Sequence, residues 1–262
     1  MNVGVSRLCK FLIVLLFVFS FILLIFATAD ISFSDETVES GCVFIVVDED
    51  HDYKAIVTSD TDDYRMVYTL FGGEEGNFVP LTLISDSPID YKVSVYVRVV
   101  GSKYAFKDSF DVDDFSSGSY ASWLSPNCYV RYTDHSASVI EADKLCANVD
   151  SDDEKFNLIS SWVTQNFAYD YVRSFEEDEK PFAGVDADYA FTKHMGICCD
   201  LAGMGVAMLR SQGIPSVMVV GCADNHWHSW VRYKIGNDFY IWDPALQITG
   251  GSVKSYVSAY EY

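Results

Sequence analysis

The chain has 262 residues, 50% of them hydrophobic, enough for one or two domains with substantial cores. Its formal charge is −20, or −22 once Arg7 and Lys10 of the first 29 residues are set aside. A surface of that sign repels nucleic acid and anionic lipid, so neither is an expected partner, and most of the charge reads as solubility.

In chain order, Arg7 and Lys10 flank an uncharged apolar run from Phe11 to Phe26, closed by Ala27-Thr28-Ala29. Basic flank, apolar stretch and small-residue site make a secretory signal peptide cleaved after Ala29. An uncleaved membrane anchor through residues 11–28 is the alternative. Either one places the remainder outside the cytoplasm, secreted or anchored. No later stretch is apolar enough to span a bilayer.

Residues 30–120 read as a small all-β sandwich-like domain. Val43–Val47, Tyr53–Val57, Met66–Leu70, Phe78–Ile84 and Tyr91–Val100 are rich in β-branched and aromatic residues, with turn residues between them. Tyr91–Val99 alternates apolar and polar side chains up to Tyr96, as a half-buried strand does. Asp48, Asp50 and Asp52 have the spacing of a calcium loop, but Tyr53 stands where that loop needs glycine, so an acidic turn is expected. Ser116-Ser117-Gly118-Ser119 reads as a link to the next region.

Residues 121–262 turn helical and then strand-like, an α+β pattern. Ser138…Glu141 and Ser151…Glu154 fit the capping box. The second leads into Phe156, Ile159, Trp162, Val163 and Phe167, an apolar stripe at helical spacing. A further helix is expected from Cys198 to Gln212, with Gly213 in the left-handed conformation and Pro215 preventing continuation. Strands Val217–Val220, His228–Ile235 and Phe239–Trp242 follow, the last two joined at Gly236-Asn237-Asp238.

Cys198, His228 and Asp243 occur in that order, 30 and then 15 residues apart, the first at a helix start and the others on strands. Unpaired N–H groups and the dipole at a helix N-terminus stabilise a thiolate. An imidazole then serves as base, a carboxylate fixes its tautomer, and the Cys198 N–H is a natural oxyanion donor. Taken singly, a cysteine of an exported chain is more often a disulfide partner, and Asp243 before Pro244 merely ends a strand. Cys198, Cys199, Cys222, His226 and His228 form a rival zinc set, but C-x-x-C spacing is missing, so no metal and no cofactor is expected.

Six cysteines follow the leader. A helix from Cys199 to Gly213 advances about 21 Å. A strand from Pro215 returns about 23 Å by Cys222. A Cys199–Cys222 bridge is therefore expected, with Cys128–Cys146 as a looser pairing that leaves Cys42 over.

The flanking residues resemble the transglutaminase-like core of the papain-like cysteine enzymes. That family's G-x-C-x-[DE]-x-A start is matched by Gly196, Cys198, Asp200 and Ala202, and its R-x-x-G-I-P helix end by Arg210, Gly213, Ile214 and Pro215. Its H-x-W is matched by His228 and Trp230, and its D-P by Asp243 and Pro244. Trp162–Asp170 looks like the helix and tyrosine that precede the nucleophile. The resemblance covers roughly 135–248. More weakly, Tyr104–Tyr132 looks like the lead-in of secreted microbial members with an N-terminal β domain. The resemblance implies Cys198 as nucleophile, His228 as base and Asp243 as its partner, with His226 excluded because it lacks the tryptophan two residues on. Cys199 beside the nucleophile and Ser229 in place of alanine are departures.

The expected activity is cysteine-dependent acyl transfer on peptide or isopeptide bonds of a peptide or protein substrate, cell-envelope peptide included. Hydrolysis is preferred to crosslinking. The alternative is a non-catalytic extracellular binding module that keeps the fold.

Overall fold

The computed structural model describes residues 31–34, 38–60, 64–82, 88–116, 120–176 and 185–262. The expected leader at 1–29, most of the 116–119 link and the last two residues of the expected Phe78–Ile84 strand lie outside them. Among the described residues no helix is long and apolar enough to cross a membrane.

Seven strands come first: β1 (Ile31–Ser34), β2 (Cys42–Val47), β3 (Tyr53–Ser59), β4 (Arg65–Leu70), β5 (Asn77–Pro80), β6 (Ile89–Val100) and β7 (Lys103–Phe115). They form two sheets, ordered β1-β2-β5 and β4-β3-β6-β7, with every pairing antiparallel. The period-two pattern of β6 decides its orientation, for Ile89, Tyr91, Val93, Val95 and Val97 all point inward. Val95 and Val93 lie opposite Ala55 and Val57 of β3, so buried side chains meet in cross-strand pairs. Val43, Ile45 and Val47 of β2 contribute to the same core, and Phe33 stacks on Phe110 at 5.7 Å between the sheets. The acidic turn closes on itself. Asp48 accepts from His51 at 2.7 Å and from the Tyr53 hydroxyl at 2.6 Å, while Asp52 pairs with Arg98.

The second region holds β8 (Val130–Arg131), α1 (Ala137–Cys146), α2 (Asp152–Asn166), β9 (Ala168–Tyr169), α3 (Tyr171–Glu176), β10 (Val185–Asp186), α4 (Ala187–Lys193), β11 (Met195–Gly196) and α5 (Cys198–Ser211). After these come β12 (Ser216–Ala223), β13 (His226–Ile235), β14 (Asp238–Trp242), α6 (Pro244–Thr249) and β15 (Tyr256–Glu261). The last four strands make an antiparallel sheet in the order β14-β13-β12-β15. The architecture is thus α+β, a helical and sheet core preceded by an all-β region.

Helix α5 is central, with every residue from Asp200 to Arg210 buried. Gly205 permits the close approach of β14, because a Cβ there would come within 2.6 Å of the Trp242 ring. At its far end Gly213 takes φ +78°, the left-handed conformation expected of it, and the Ile214 N–H returns to the Leu209 carbonyl at 3.0 Å. The apolar stripe of α2 also packs as its spacing requires. Phe156 stacks on Tyr233 at 4.3 Å and Trp162 on Phe191 at 5.8 Å.

The capping boxes differ from expectation. Helix α1 starts at Ala137, so Ser138 lies inside its first turn, and the Ala137 and Ser138 N–H groups donate to Asp188 of α4 at 2.8 and 3.0 Å. A carboxylate from another helix satisfies these donors better than the local serine. At α2, Ser151 is the N-cap residue but makes no side-chain capping bond; three acidic residues in the first turn complement the helix dipole instead.

Candidate active site

The short strand β11 leads straight into α5, and Cys198 is its first residue. Asp200 reaches back to accept from the Ile197 N–H at 3.0 Å and pairs with Arg173 of α3. The Arg173 guanidinium in turn lies over the Tyr189 ring at 4.5 Å. The start of α5 is therefore fixed by a buried carboxylate, while Cys198 itself is only half-buried.

His228 stands two residues into β13, opposite Gly221 of β12. Its Nε2 lies 2.7 Å from Asp243 Oδ2. An ionised carboxylate only accepts, so Nε2 carries the proton and Nδ1 is the nitrogen left for Cys198. Burial alone would lower the His228 pKa. The hydrogen bond to Asp243, then the hydrogen bond and charge of Cys198, overcome this and push it up to about 10. The arrangement favours an imidazolium beside the sulfur.

Asp243 is 9% exposed and is the N-cap of α6, its Oδ1 accepting from the Leu246 N–H at 2.9 Å. Its Oδ2 receives the Tyr256 hydroxyl at 3.0 Å besides His228. The three residues singled out in the sequence thus converge from α5, β13 and the β14–α6 junction. His226 is exposed at the start of the same strand.

Tyr169 completes the surroundings of Cys198. Burial and then the Cys198 sulfur raise its phenol to about 12, opposed in part by hydrogen bonds from Ser174 and from the Cys198 main chain. Tyr256 and Arg173 were not singled out in the sequence. The aromatic and β-branched residues of Tyr256–Tyr260 are a usable strand signal, but nothing in them points to Asp243.

No disulfide joins cysteines among the described residues, contrary to the two expected pairings. Cys222 sits between Trp227 and Val257, both highly exposed, and cross-strand partners share a face. Cys199 instead packs on the main core. The length count brought the two residues level but ignored their faces. Burial and then the charge of Cys42 push the Cys128 thiol up.

Residues 142–244 match the family model of the transglutaminase-like superfamily. Among solved structures, the chain is similar to a candidate cysteine protease from Cytophaga hutchinsonii, with 14% identity over 80% of this chain and 83% of that one and a TM-score of 0.41. It is also similar to the periplasmic domain of TgpA from Pseudomonas aeruginosa, with 15% identity over 76% and 91% of the two chains and a TM-score of 0.38. A third likeness is to red sea bream transglutaminase, at 12% identity, 82% of this chain and 49% of that one, with a TM-score of 0.30. No curated protein matches the sequence.

Proposed function

We propose that this protein is an exported cysteine-dependent acyl-transfer enzyme acting on peptide or isopeptide amide bonds, with Cys198 as nucleophile, His228 as acid and base, and Asp243 orienting the imidazole. The observation that carries the reading is the His228–Asp243 hydrogen bond of 2.7 Å, with His228 also pushed up by Cys198 at the first residue of a helix. In the reaction the thiolate adds to the amide carbonyl, and the His228 imidazolium gives its proton to the departing amine. A thioester remains. His228, now neutral, takes a proton from water, which attacks the thioester and releases the acid and the thiolate. The Cys198 N–H is the first oxyanion donor.

Hydrolysis is favoured over amine transfer because Cys198 is half exposed, and a site open to water needs no acceptor subsite. The substrate is a peptide or protein outside the cytoplasm, reached by a secreted or N-terminally anchored chain; the leader-like run of residues 11–26 supports the export. A glutamine peptide assayed with and without a primary amine tests the reaction. Release of free acid that depends on Cys198 is expected, with little effect of the amine. Amine incorporation outrunning acid release would make the enzyme a crosslinker, and no turnover of any amide would remove the reading.

A further inference from the structure

We propose that Tyr256 is a positioning residue of this site, holding the Asp243 carboxylate in line with His228; the inference rests on the acyl-transfer reading above. Three donors from three elements converge on that carboxylate. Leu246 N–H of α6 takes Oδ1 at 2.9 Å, while His228 of β13 and Tyr256 of β15 share Oδ2 at 2.7 and 3.0 Å. With Leu246 and His228 alone, rotation about the Cβ–Cγ bond trades one contact against the other. The Tyr256 hydroxyl closes that freedom.

The phenol is itself held from two sides. Its ring packs against Trp230 with centroids 4.7 Å apart, and Trp230 is 1% exposed. Its main chain is tied to the β12–β13 turn, where Asp224 accepts from the Lys254 N–H at 3.1 Å and the Ser255 N–H at 3.0 Å. The Asp224 N–H donates back to the Ser255 carbonyl at 3.1 Å. Tyr256 also pairs with Ala223, so the first residue of β15 has little room to move. Burial first, and the charge of Asp243 second, raise the Tyr256 pKa, which keeps the hydroxyl a donor across the working pH range.

The test is Tyr256→Phe in the full chain, which keeps the ring on Trp230 and removes only the hydroxyl. Two quantities are read: the rate of Cys198 alkylation by iodoacetamide near neutral pH, located by peptide mass mapping, and the downfield Nε2–H proton resonance of His228. Loss of one hydrogen bond to a charged group should slow alkylation about tenfold. The resonance should move upfield and broaden, with the melting temperature nearly unchanged. Asp224→Ala leaves the hydroxyl in place but frees its strand, and should act in the same direction by about threefold. It decides the matter if Tyr256→Phe does not fold. An unchanged rate together with an unmoved resonance would overturn the proposal. If wild-type Cys198 reacts no faster than an ordinary thiol, the acyl-transfer reading fails, and the resonance alone then decides for or against Tyr256.

Discussion

At the N-terminal end of α5, Arg173 pairs with Asp200 and the Cys198 thiol stays half exposed; at the other end Arg210 is buried and donates to three main-chain oxygens. Arg210 donates to Ser216 at 2.8 Å, Ser125 at 2.6 Å and Tyr262 at 3.1 Å, and its burial lowers its pKa. One guanidinium thus joins the helix end, the start of β12, the loop before β8 and the residue after β15. The Tyr262 oxygen it reaches also accepts from the Met218 N–H of β12 at 2.8 Å, so the guanidinium adds to the sheet edge there. At the opposite end the charged pair instead fixes where the helix begins, and leaves the dipole end and the sulfur approachable. The same residue type serves cohesion in one place and the alignment of a reactive group in the other.

Substitutions sharpen that contrast. The largest effect belongs to Cys198→Ala, which should reduce turnover by about ten-thousandfold while leaving thermal unfolding nearly unchanged. Arg210→Met should do the opposite. Removing a buried guanidinium that donates to three main-chain oxygens costs about 3–5 kcal/mol, read as a lower urea midpoint, while Cys198 in the molecules still folded alkylates normally. Asp200→Asn lies between them. It keeps an acceptor for the Ile197 N–H but loses the charge facing Arg173, so both stability, by about 1–3 kcal/mol, and Cys198 reactivity should fall. A loss in stability alone would mean that the N-terminal pair is cohesive like Arg210.

The remaining contrast is the pH dependence of stability. His228 is raised from 6.5 to about 10 in the folded chain, so its pairing stabilises fully below about 6.5 and is lost as the pH climbs through about 10. Wild type compared with His228→Gln in urea titrations should show that advantage on the acid side and its disappearance on the alkaline side. An advantage that grows with pH would contradict the imidazolium assignment.

Local chemistry made much of this legible in the sequence. The stop of α5 follows from Gly213 and Pro215, whose backbone restrictions act whatever surrounds them. The candidate site residues were legible because each has a recognisable neighbour: Gly196 before Cys198, Trp230 after His228, Pro244 after Asp243. Contacts made across the fold were not legible. Asp188 caps α1 from about 50 residues away, a distance at which no short motif carries information. The Cys199–Cys222 pairing failed for a related reason, since rise per residue fixes how far a chain travels and not which face a side chain takes. Tyr256 and Arg173 belong with Asp188, for their roles exist only once β15 and α3 have docked.

Asp243 is both the N-cap of α6 and the partner of His228, so one carboxylate links a helix start to the imidazole. The Leu246 amide hydrogen is bound to that carboxylate at 2.9 Å. Its exchange with solvent therefore counts the molecules in which the imidazole has lost its support. A single protection factor, measured with no substrate in the tube, becomes a readout of how much of the population stands ready to react.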